Sequence, residues 1–351
     1  MELNSHALTR ENENISSFSS SMDGSFSNDT DPSSGGVIIQ STIMALILTF
    51  ATVGNALVLL ALANFRVIRT KTTVFIANLA LADFAVGLTG MPFILGSSIS
   101  GRWIAGDVFC SINGASNVIF CVASMLTLAG IALDRYFAIV HPFRYLELMS
   151  MQRISMVLLW IWLEPITLAI LPIATPWSRY KYFSNEYICT TDWGYSASFS
   201  CTVFALGFFV PLAVMCFCYY KILKVARQQS RKICATETIV SGVEATLAAR
   251  RARQFKRDAR AAFLLLILIA NFLFCWLPHF VGILCLVFTN NECIFSDTFF
   301  TTTTWLAMAN SGMNPVMYGL FDRRLRQAVW LILRCKIHER LDDPNTLQGG
   351  R

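Results

Sequence analysis

Long apolar runs separated by short polar segments dominate this chain. An α-helix needs about 20 apolar residues to cross roughly 30 Å of hydrocarbon, because it rises about 1.5 Å per residue. Seven runs reach that length, so we predict seven membrane-spanning helices. These spans, numbered one to seven, are Val37–Asn64, Thr73–Ile99, Asp107–Val140, Ile154–Thr175, Ser196–Val225, Asp258–Phe288 and Thr298–Leu320.

The pattern within the runs favours helices over strands. None of the seven alternates apolar and polar residues with period two, which a membrane β-barrel would require. After span seven, residues 321–334 form an amphipathic stretch, for which we predict a short cytoplasmic helix, and residues 335–351 follow as a tail. The predicted fold is an all-α membrane protein: a seven-transmembrane helix bundle over residues 37–320 with a short amphipathic helix behind it.

Composition agrees with a membrane protein. Apolar residues make up 55% of the chain, charged residues only 14%, and the mean hydropathy is +0.53. Soluble domains carry about a quarter charged residues, so neither two soluble domains nor a disordered chain fits. The net charge of +6 raises nucleic acid as a partner, but the basic residues flank apolar runs. We therefore expect a lipid membrane and no nucleic acid.

The basic residues also predict the orientation. Of the 28 Lys and Arg residues, 24 lie on the face reached after spans one, three, five and seven, and positive flanks stay cytoplasmic. The N-terminus is then extracellular and the C-terminus cytoplasmic. Residues 1–36 form a polar tail, expected to be disordered and glycosylated at the sequons of Asn14 and Asn28. We expect a multi-pass plasma-membrane protein whose first span directs insertion without a cleaved signal peptide.

Eleven cysteines divide by location. Five lie inside spans, where small apolar behaviour is expected: Cys121, Cys201, Cys216, Cys218 and Cys275. Cys110 and Cys189 lie on the oxidising outer side, where a disulfide can persist. Cys285 and Cys293 either close a second outer loop or remain free thiols. Cys335, behind the amphipathic stretch, is a candidate for S-palmitoylation.

Polar groups inside the spans are candidate functional residues, because burying them in lipid is costly. Asp83 lies in the middle of span two, and other spans carry further polar residues at mid-depth: Asn55, Ser124, Asn310, Ser311 and Asn314. If they converge, Asp83 and Ser124 offer oxygen ligands to a hard cation such as sodium. The alternative is a hydrogen-bond network that joins helices without an ion.

A second candidate site is the sequence Asp134-Arg135-Tyr136 at the inner end of span three. Arg135 must find a carboxylate there or extend to the lipid headgroups. Asp134 is adjacent, and Asp258 opens span six. Arg135 lies 18 residues after Asn117, and Asp258 lies 18 residues before Trp276, so both lie about 27 Å inward of those residues. We predict a latch between Arg135 and Asp258 that breaks when span six moves outward; the alternative is an ordinary boundary arginine.

Three prolines interrupt the last three spans. Pro211, Pro278 and Pro315 each remove one helical hydrogen bond and loosen the helix locally. Any one of them is tolerated in a membrane helix. Three of them near Trp276 and Asn314 favour a bundle with two packings of similar energy.

Taken in order, these residues resemble the rhodopsin-like (class A) G-protein-coupled receptors over roughly residues 37–336. The landmarks are Gly54-Asn55 in span one, Leu81-Ala82-Asp83 in two, Cys110 and Asp134-Arg135-Tyr136 in three, Trp162 in four, Pro211 and Tyr219 in five, Phe272 with Cys275-Trp276-Leu277-Pro278 in six, and Asn314-Pro315-Val316-Met317-Tyr318 in seven. One short motif means little, but landmarks in all seven spans are specific.

The resemblance implies that the chain binds an extracellular ligand and activates a heterotrimeric G protein; it leaves arrestin open as a second cytoplasmic partner. It also implies a disulfide between Cys110 and Cys189, and an allosteric sodium ion near Asp83 as the only cofactor. Trp276 and Phe272 would form a hinge below the ligand. The implied switch residues are Asp134, Arg135, Tyr136, Asp258, Tyr219, Phe272, Pro315 and Tyr318.

The second inner loop, from Ile139 to Tyr145, and the Trp305 position look like the amine-receptor branch and its orphan relatives. The pocket departs from that branch. Amine receptors hold the ligand's ammonium with an aspartate at the position of Asn117, which cannot supply a charge. Their span-five serines correspond to Val203, Phe204 and Gly207, and their span-seven tyrosine to Met308. A high-affinity monoamine site is therefore not expected at these positions.

Other ligand classes stay open. A retinal pigment requires a lysine in span seven. No lysine occurs between Lys256 and Lys336, so a retinal pigment is not expected. Peptide, lipid or odorant-like ligands, or high basal activity without a ligand, remain alternatives. The predicted pocket residues are Asn117, Cys121, Phe204, Trp276, His279, Phe280, Trp305 and Met308. His279 either hydrogen-bonds the ligand and senses pH or is an aromatic packing residue.

Two other protein classes fit the sequence less well. A transporter or channel predicts inverted halves and several intramembrane charges along a path. This chain has an odd number of spans, and only Asp83 and Glu164 lie deep in the membrane. An enzyme is not expected either, since the chain has no nucleophile elbow, phosphate loop or metal-ligand spacing.

Overall fold

The computed structural model describes residues 34–236, 243–289 and 293–336, with the side chains of residues 34, 35, 229–262, 264 and 265 outside that description. The predicted glycosylation sites Asn14 and Asn28 lie outside the described residues. The chain divides into two compact units, residues 1–40 and 41–351. The described part of the first unit, residues 34–40, is helical. The description below concerns the second unit, apart from the bounds of the helix Ser34–Thr49, which begins in the first.

Helices form at all seven predicted spans. Six of the helical segments are long and apolar enough to cross a membrane: Gly36–Asn64, Lys71–Ser100, Gly106–Val140, Met151–Ala174, Ala197–Gln228 and Leu266–Phe288. Span seven is the helix Asp297–Phe321, whose 25 residues also suffice in length, although its Thr, Ser and Asn residues make it less apolar. The predicted seven-helix architecture is confirmed.

Three spans are built from more than one helical segment. Span one consists of Ser34–Thr49, a π-helical turn Phe50–Gly54 and Asn55–Asn64. Span two consists of Lys71–Thr89 and Met91–Ser100. Span five consists of Ala197–Phe204, a π-helical turn Ala205–Phe209 and Val210–Thr236. A π-turn places one extra residue in the helix and commonly occurs at functional sites. The turn in span five ends two residues before Pro211.

Span six is much longer than predicted. Its helix runs over Val243–Phe288, so it begins 15 residues before Asp258 and extends beyond the membrane-spanning segment. The added segment is rich in Ala and Arg, which are strong helix formers, but it carries too many charges to cross a membrane. The helix therefore begins 15 residues before the predicted membrane-crossing segment and ends with it at Phe288.

A β-hairpin covers the outer end of span three. Strands β1 (Tyr180–Phe183) and β2 (Ile188–Thr191) pair antiparallel, with Tyr182 opposite Cys189. Cys189 is disulfide-bonded to Cys110, as the resemblance implied, and both strands contact span three. Cys285 and Cys293 also form a disulfide, which resolves the alternatives for that pair.

Span three is central to the bundle. It contacts spans two, four, five and six and both strands of the hairpin. Buried polar side chains fasten its neighbours to it: the Trp162 indole N–H donates to Asn78 Oδ1 at 2.9 Å, and Asn78 Nδ2 donates to Thr127 Oγ1 at 2.7 Å. Spans one and seven approach closely at Gly54, where an added Cβ would lie 3.0 Å from the Pro315 ring. These contacts fix the helices that carry the sites below.

The amphipathic helix predicted at residues 321–334 is observed as Arg323–Leu333. Asp322 caps its N-terminus by accepting backbone N–H groups of residues 324 and 325 at 3.0 and 3.1 Å. Leu325, Ala328 and Leu331 are buried on one face. Cys335 follows with φ of 56° and an exposed thiol.

Candidate functional site: outer cavity and inner polar clusters

A cavity lies among the outer halves of the helices, and the hairpin forms part of its wall. The space available to the centres of water-sized molecules is about 90 Å³. Seven of the eight residues predicted to line a ligand pocket do line it: Asn117, Cys121, Phe204, Trp276, His279, Phe280 and Met308. Spans three, five, six and seven thus each contribute a wall.

Trp305 is not among the described residues that line this cavity, so the prediction that placed it there is wrong. The span-seven residues in the lining are Thr304, Ala307 and Met308, which share one helix face. Successive helical residues are rotated by about 100°, so Trp305 points away from that face. It is buried instead, with 7% of its surface exposed.

Aromatic rings form the floor and one side of the cavity. The Trp276 ring lies 5.6 Å from the Phe280 ring and 6.1 Å from the Phe272 ring, centroid to centroid. Phe280 also contacts Phe204 at 5.4 Å, and Phe204 stacks on Trp193 at 5.1 Å. Such a continuous set of rings suits a flat apolar or cationic ligand. It also includes Phe272, which lines the cavity and belongs to the buried core of the bundle.

Asn117 lines the cavity, but its amide is engaged with its own helix. Its Nδ2 donates to Asn113 Oδ1 at 3.3 Å. Its Oδ1 is buried without a hydrogen-bond partner among the described residues and lies against span two, where a Cβ added at Gly90 would be only 2.2 Å away. Gly90 is therefore required for the close approach of this side chain.

Sequence reasoning missed a carboxylate in the cavity wall. Glu186 lies in the turn between β1 and β2, is 7% exposed, and lines the cavity. Its carboxylate accepts a hydrogen bond from the Thr304 hydroxyl, whose oxygen is also 3.3 Å from His279 Nδ1. Burial raises the pKa of Glu186 to about 7; the Thr304 hydrogen bond opposes this shift, and the charge of Asp297 adds to it.

The sequence contains a clue to Glu186. It lies three residues before Cys189, and a disulfide between Cys189 and Cys110 would hold this segment at the outer end of span three. Three extended residues cover only about 10 Å, so Glu186 must stay near the pocket mouth. The missing information was the direction of its side chain. The turn that sets this direction includes Tyr187, a non-glycine residue with φ of 57°.

The polar residues predicted around Asp83 come together in part. Asp83 is fully buried; Ser124 Oγ donates to its Oδ1 at 3.1 Å and Asn314 Nδ2 to its Oδ2 at 2.6 Å. Asn55 instead donates to the backbone carbonyls of Ala51 and Ser311, at 2.8 and 2.9 Å. Asn310 accepts from Asn271 Nδ2 at 3.1 Å. Among the described residues, no hydrogen bond joins Asn55 or Asn310 to Asp83, so these two side chains lie beside the cluster.

Arg135 is paired with Asp134 at the inner end of span three. The guanidinium donates to Asp134 Oδ2 from Nη2 at 2.6 Å and from Nε at 3.0 Å, and it also donates to the Thr72 hydroxyl. Asp134 is fully buried and accepts further bonds from Thr72 Oγ1 at 2.6 Å and Tyr145 OH at 2.8 Å. We call these four residues the inner cluster.

The second inner loop completes the inner cluster through Tyr145. Burial and the neighbouring Asp134 carboxylate raise the pKa of this phenol, and Lys71 lies 5.3 Å from the ring centroid. The phenol therefore stays a hydrogen-bond donor at physiological pH. Tyr136, next to Arg135, approaches His141 Nε2 with its hydroxyl at 3.2 Å.

The remaining predicted switch residues lie between the outer cavity and the inner cluster. Tyr219, Phe272 and Tyr318 belong to one buried core, and the Tyr318 hydroxyl has no partner among the described residues. Pro315 lies inside the helix of span seven. The side chain of Asp258 lies outside the described residues, so its pairing with Arg135 stays a prediction.

Comparisons with known proteins add an independent observation. Residues 54–318 match the model of the 7 transmembrane receptor (rhodopsin family). The octopamine receptor beta-1R of Drosophila melanogaster is 32% identical over 346 residues, covering 90% of this chain and 67% of that receptor. The histamine H2 receptor of Homo sapiens is 30% identical over 315 residues, covering 89% and 84%.

Another relative and a solved structure extend the similarity. The D(1C) dopamine receptor of Xenopus laevis is 30% identical over 320 residues, covering 85% of this chain and 68% of that receptor. The crystal structure of squid rhodopsin superposes with a TM-score of 0.75 at 24% identity, covering 89% of this chain and 90% of the other. That last likeness concerns the fold.

Proposed function

This chain belongs to the rhodopsin family of 7 transmembrane receptors, the class A G-protein-coupled receptors, and on that premise we propose that a small extracellular ligand in the aromatic cavity opens the inner cluster to a G protein. The chain is thus a multi-pass membrane receptor that activates heterotrimeric G proteins. The transporter or channel alternative has no support, because the family and the relatives are receptors.

The observation that carries the proposal is the connection between the two ends of the bundle. The cavity lining includes Trp276 and Phe272, and Phe272 shares a buried core with Tyr219 and Tyr318. That core reaches span three, whose inner end carries Arg135. A ligand that favours one position of the aromatic rings therefore biases the packing around Arg135.

The size and lining of the cavity suit a small molecule. About 90 Å³ for the centres of water-sized molecules, with aromatic walls, matches a ligand built on a single ring better than a peptide. The relatives are named for octopamine, histamine and dopamine, each a small amine with one aromatic ring. We extend the ligand class of a small aromatic molecule to this chain.

The cytoplasmic face suits a protein partner. Phe143 in the second inner loop is fully exposed, and Leu146 is 74% exposed. Exposed apolar side chains beside basic residues such as Arg144 offer an anchor and a complementary charge to an acidic surface. We assign this surface to the G protein. Arrestin is a second candidate partner, which would bind the same cytoplasmic end of the bundle when the inner cluster opens.

Sodium at Asp83 also belongs to the proposal. The fully buried Asp83 carboxylate and the Ser124 hydroxyl are hard oxygen ligands, and Asn55 Oδ1 is a buried acceptor without a partner among the described residues. When bound, the ion would supply a positive charge that keeps Asp83 ionised. Asn314 and Asn310 would complete the polar surroundings.

Location and lipid attachment follow from topology. We propose a plasma-membrane receptor with an extracellular N-terminus glycosylated at Asn14 and Asn28. Cys335 is exposed directly after a helix with one apolar face, so a palmitoyl chain there would enter the inner leaflet.

The experiment is nucleotide exchange on purified G proteins of each major class, measured in membranes that contain the full chain, first without ligand. The octopamine, histamine and dopamine named by the relatives are then added. We expect exchange above that of receptor-free membranes on at least one G protein. Ion or solute flux through these membranes without nucleotide exchange would reject the receptor assignment.

A further inference from the structure

The cavity has no acidic group at the position where amine receptors carry one. Asn117 is neutral, its amide donates to Asn113, and its oxygen packs against Gly90. An ammonium buried without an opposite charge is strongly unfavourable. An amine would bind here only if another part of the cavity supplied that charge.

Glu186 is in the right place to supply it. Glu186 is buried in the cavity wall, and it is the only residue with a carboxylate among the described lining residues. The ion pairs formed by the described residues are Arg135–Asp134, Arg144–Glu147 and Arg179–Asp192, so Glu186 has no cationic partner within that part of the chain.

The hairpin holds Glu186 at a fixed position. The β1–β2 ladder and the disulfide of Cys189 with Cys110 anchor both ends of its turn. The Glu186 backbone N–H donates to the Phe183 carbonyl at 3.2 Å, and its carboxylate accepts from Thr304 on span seven. A carboxylate has about four acceptor positions, so the Thr304 bond leaves others for a ligand.

The rest of the lining also suits a cation. Trp193, Trp276 and Phe280 line the same cavity and offer ring faces, which attract positive charge. No lysine or arginine occurs among the described lining residues to repel it. Aromatic faces together with one buried carboxylate are a common recognition surface for ammonium groups.

We propose that Glu186 binds the protonated amine of a small aromatic ligand, so that the countercharge comes from the extracellular hairpin in place of span three. This inference rests on the proposed function and specifies the ligand class of the same cavity. It makes the hairpin part of the binding site as well as its cover.

The charged and titratable groups around Glu186 set the pH behaviour. His279 of span six reaches it through Thr304, Cys121 of span three lines the same cavity, and Asp297 at the start of span seven raises its pKa. Arg179 and Lys181 line an outer vestibule that Glu186 also borders. With a pKa of about 7 for Glu186, its ionised fraction rises from about a tenth at pH 6 to about nine-tenths at pH 8.

The test measures binding without a G protein. The full chain in lipid nanodiscs is titrated with octopamine, dopamine, histamine and tyramine, and with the alcohols in which a hydroxyl replaces each amine nitrogen. Thermal stabilisation reports binding. We expect at least one amine to bind at least about tenfold more tightly than its alcohol, since a charged hydrogen bond is lost with the nitrogen.

Variants then assign the preference to one residue. Glu186→Gln should remove it, and Glu186→Asp should retain part of it. Asp107→Asn is the matched control: it is an exposed extracellular acid, it changes net charge equally, and it does not line the cavity. If Glu186→Gln does not fold, the wild-type chain decides, because its affinity for the preferred amine should rise about tenfold from pH 6 to pH 8.

The proposal is overturned if no amine is preferred over its alcohol, if Glu186→Gln keeps the preference, or if wild-type affinity is flat across this pH range. None of these outcomes removes receptor activity. A chain that still drives nucleotide exchange but ignores amines retains the proposed function and loses this ligand class. A chain that binds amines through Glu186 without driving nucleotide exchange retains this ligand class and loses the proposed function.

Discussion

Arg135 is neutralised by the residue beside it in the chain. Asp134 is fully buried and accepts from Arg135, Thr72 and Tyr145, so its charge is shared among one cation and two hydroxyl groups from neighbouring segments. Breaking one partner away from a buried pair leaves the other charge uncompensated. The inner cluster therefore stabilises the described packing of the cytoplasmic end and opposes release of Arg135.

The first prediction concerns Asp134→Asn. A hydrogen bond to a charged group contributes about 1.5–3 kcal/mol, so losing the carboxylate charge should raise basal nucleotide exchange by about tenfold. Glu147→Gln is the control. The Glu147 side chain is 64% exposed, and its carboxylate oxygen lies as far as 3.9 Å from Arg144 Nε, so its ion pair is weak. A basal rate that falls, or that rises equally in both variants, would show that Asp134 does not restrain Arg135.

The second prediction concerns sodium. If Asp83 and Ser124 hold the ion, basal nucleotide exchange of the wild-type chain should be lower in sodium chloride than in potassium chloride at equal ionic strength. Asp83→Asn removes the carboxylate and should abolish the difference, while Asp107→Asn should preserve it. Equal rates of the wild-type chain in the two salts would favour the hydrogen-bond network without an ion.

At the scale of elements, the β-hairpin and the two π-turns are what sequence patterns did not predict. Apolar run length predicts where helices cross a membrane, and all seven spans were found in that way. It says nothing about an extra residue inside a helix, as at Phe50–Gly54 and Ala205–Phe209, because hydropathy does not change there. Strands of four residues lie at the lower limit of the length at which a period of two is distinguishable.

The same contrast between features that change the hydropathy pattern and features that do not explains which site residues were predicted. Asp83 was predicted because a carboxylate in an apolar run is conspicuous, whereas Glu186 lies in a polar loop where acids are common. Trp305 was wrongly placed because depth along a helix was known but its rotation was not. Asp258 was taken as the start of span six because charge marks the membrane boundary, although the helix itself continues to Val243.

The third prediction tests the burial of Glu186 in the hairpin. Its pKa is raised to about 7 from an unfolded value of 4.5, so the folded chain binds a proton more tightly than the unfolded chain. The stabilisation is fully present below about pH 4.5 and is lost as pH rises through about 7. The apparent melting temperature of the ligand-free chain should therefore fall between pH 5 and pH 8.

Glu186→Gln should reduce that fall, because the amide has no proton to lose. His279 and Asp297 remain in the variant, so the difference between the two chains isolates Glu186. Identical pH profiles for wild type and Glu186→Gln would show that the carboxylate is not buried as the structure has it.

At the scale of the whole molecule, one bundle joins an outer cavity to an inner cluster through a continuous core. Span three contributes Asn117 to the first and Arg135 to the second, and Phe272 on span six lies between them. Pro278 and Pro315 weaken spans six and seven beside this core. Two packings of the bundle with similar energies follow, and a ligand or a G protein selects between them.

The most direct test of this account is nucleotide exchange on a G protein by the full chain carrying Arg135→Ala, compared with Arg66→Ala at equal surface expression. Arg66 is the matched control, since it is an exposed arginine on the same cytoplasmic face and lies outside the inner cluster. We predict that Arg135→Ala abolishes exchange and that Arg66→Ala retains most of it. Exchange by the Arg135→Ala chain at the wild-type rate would contradict the central role of the inner cluster.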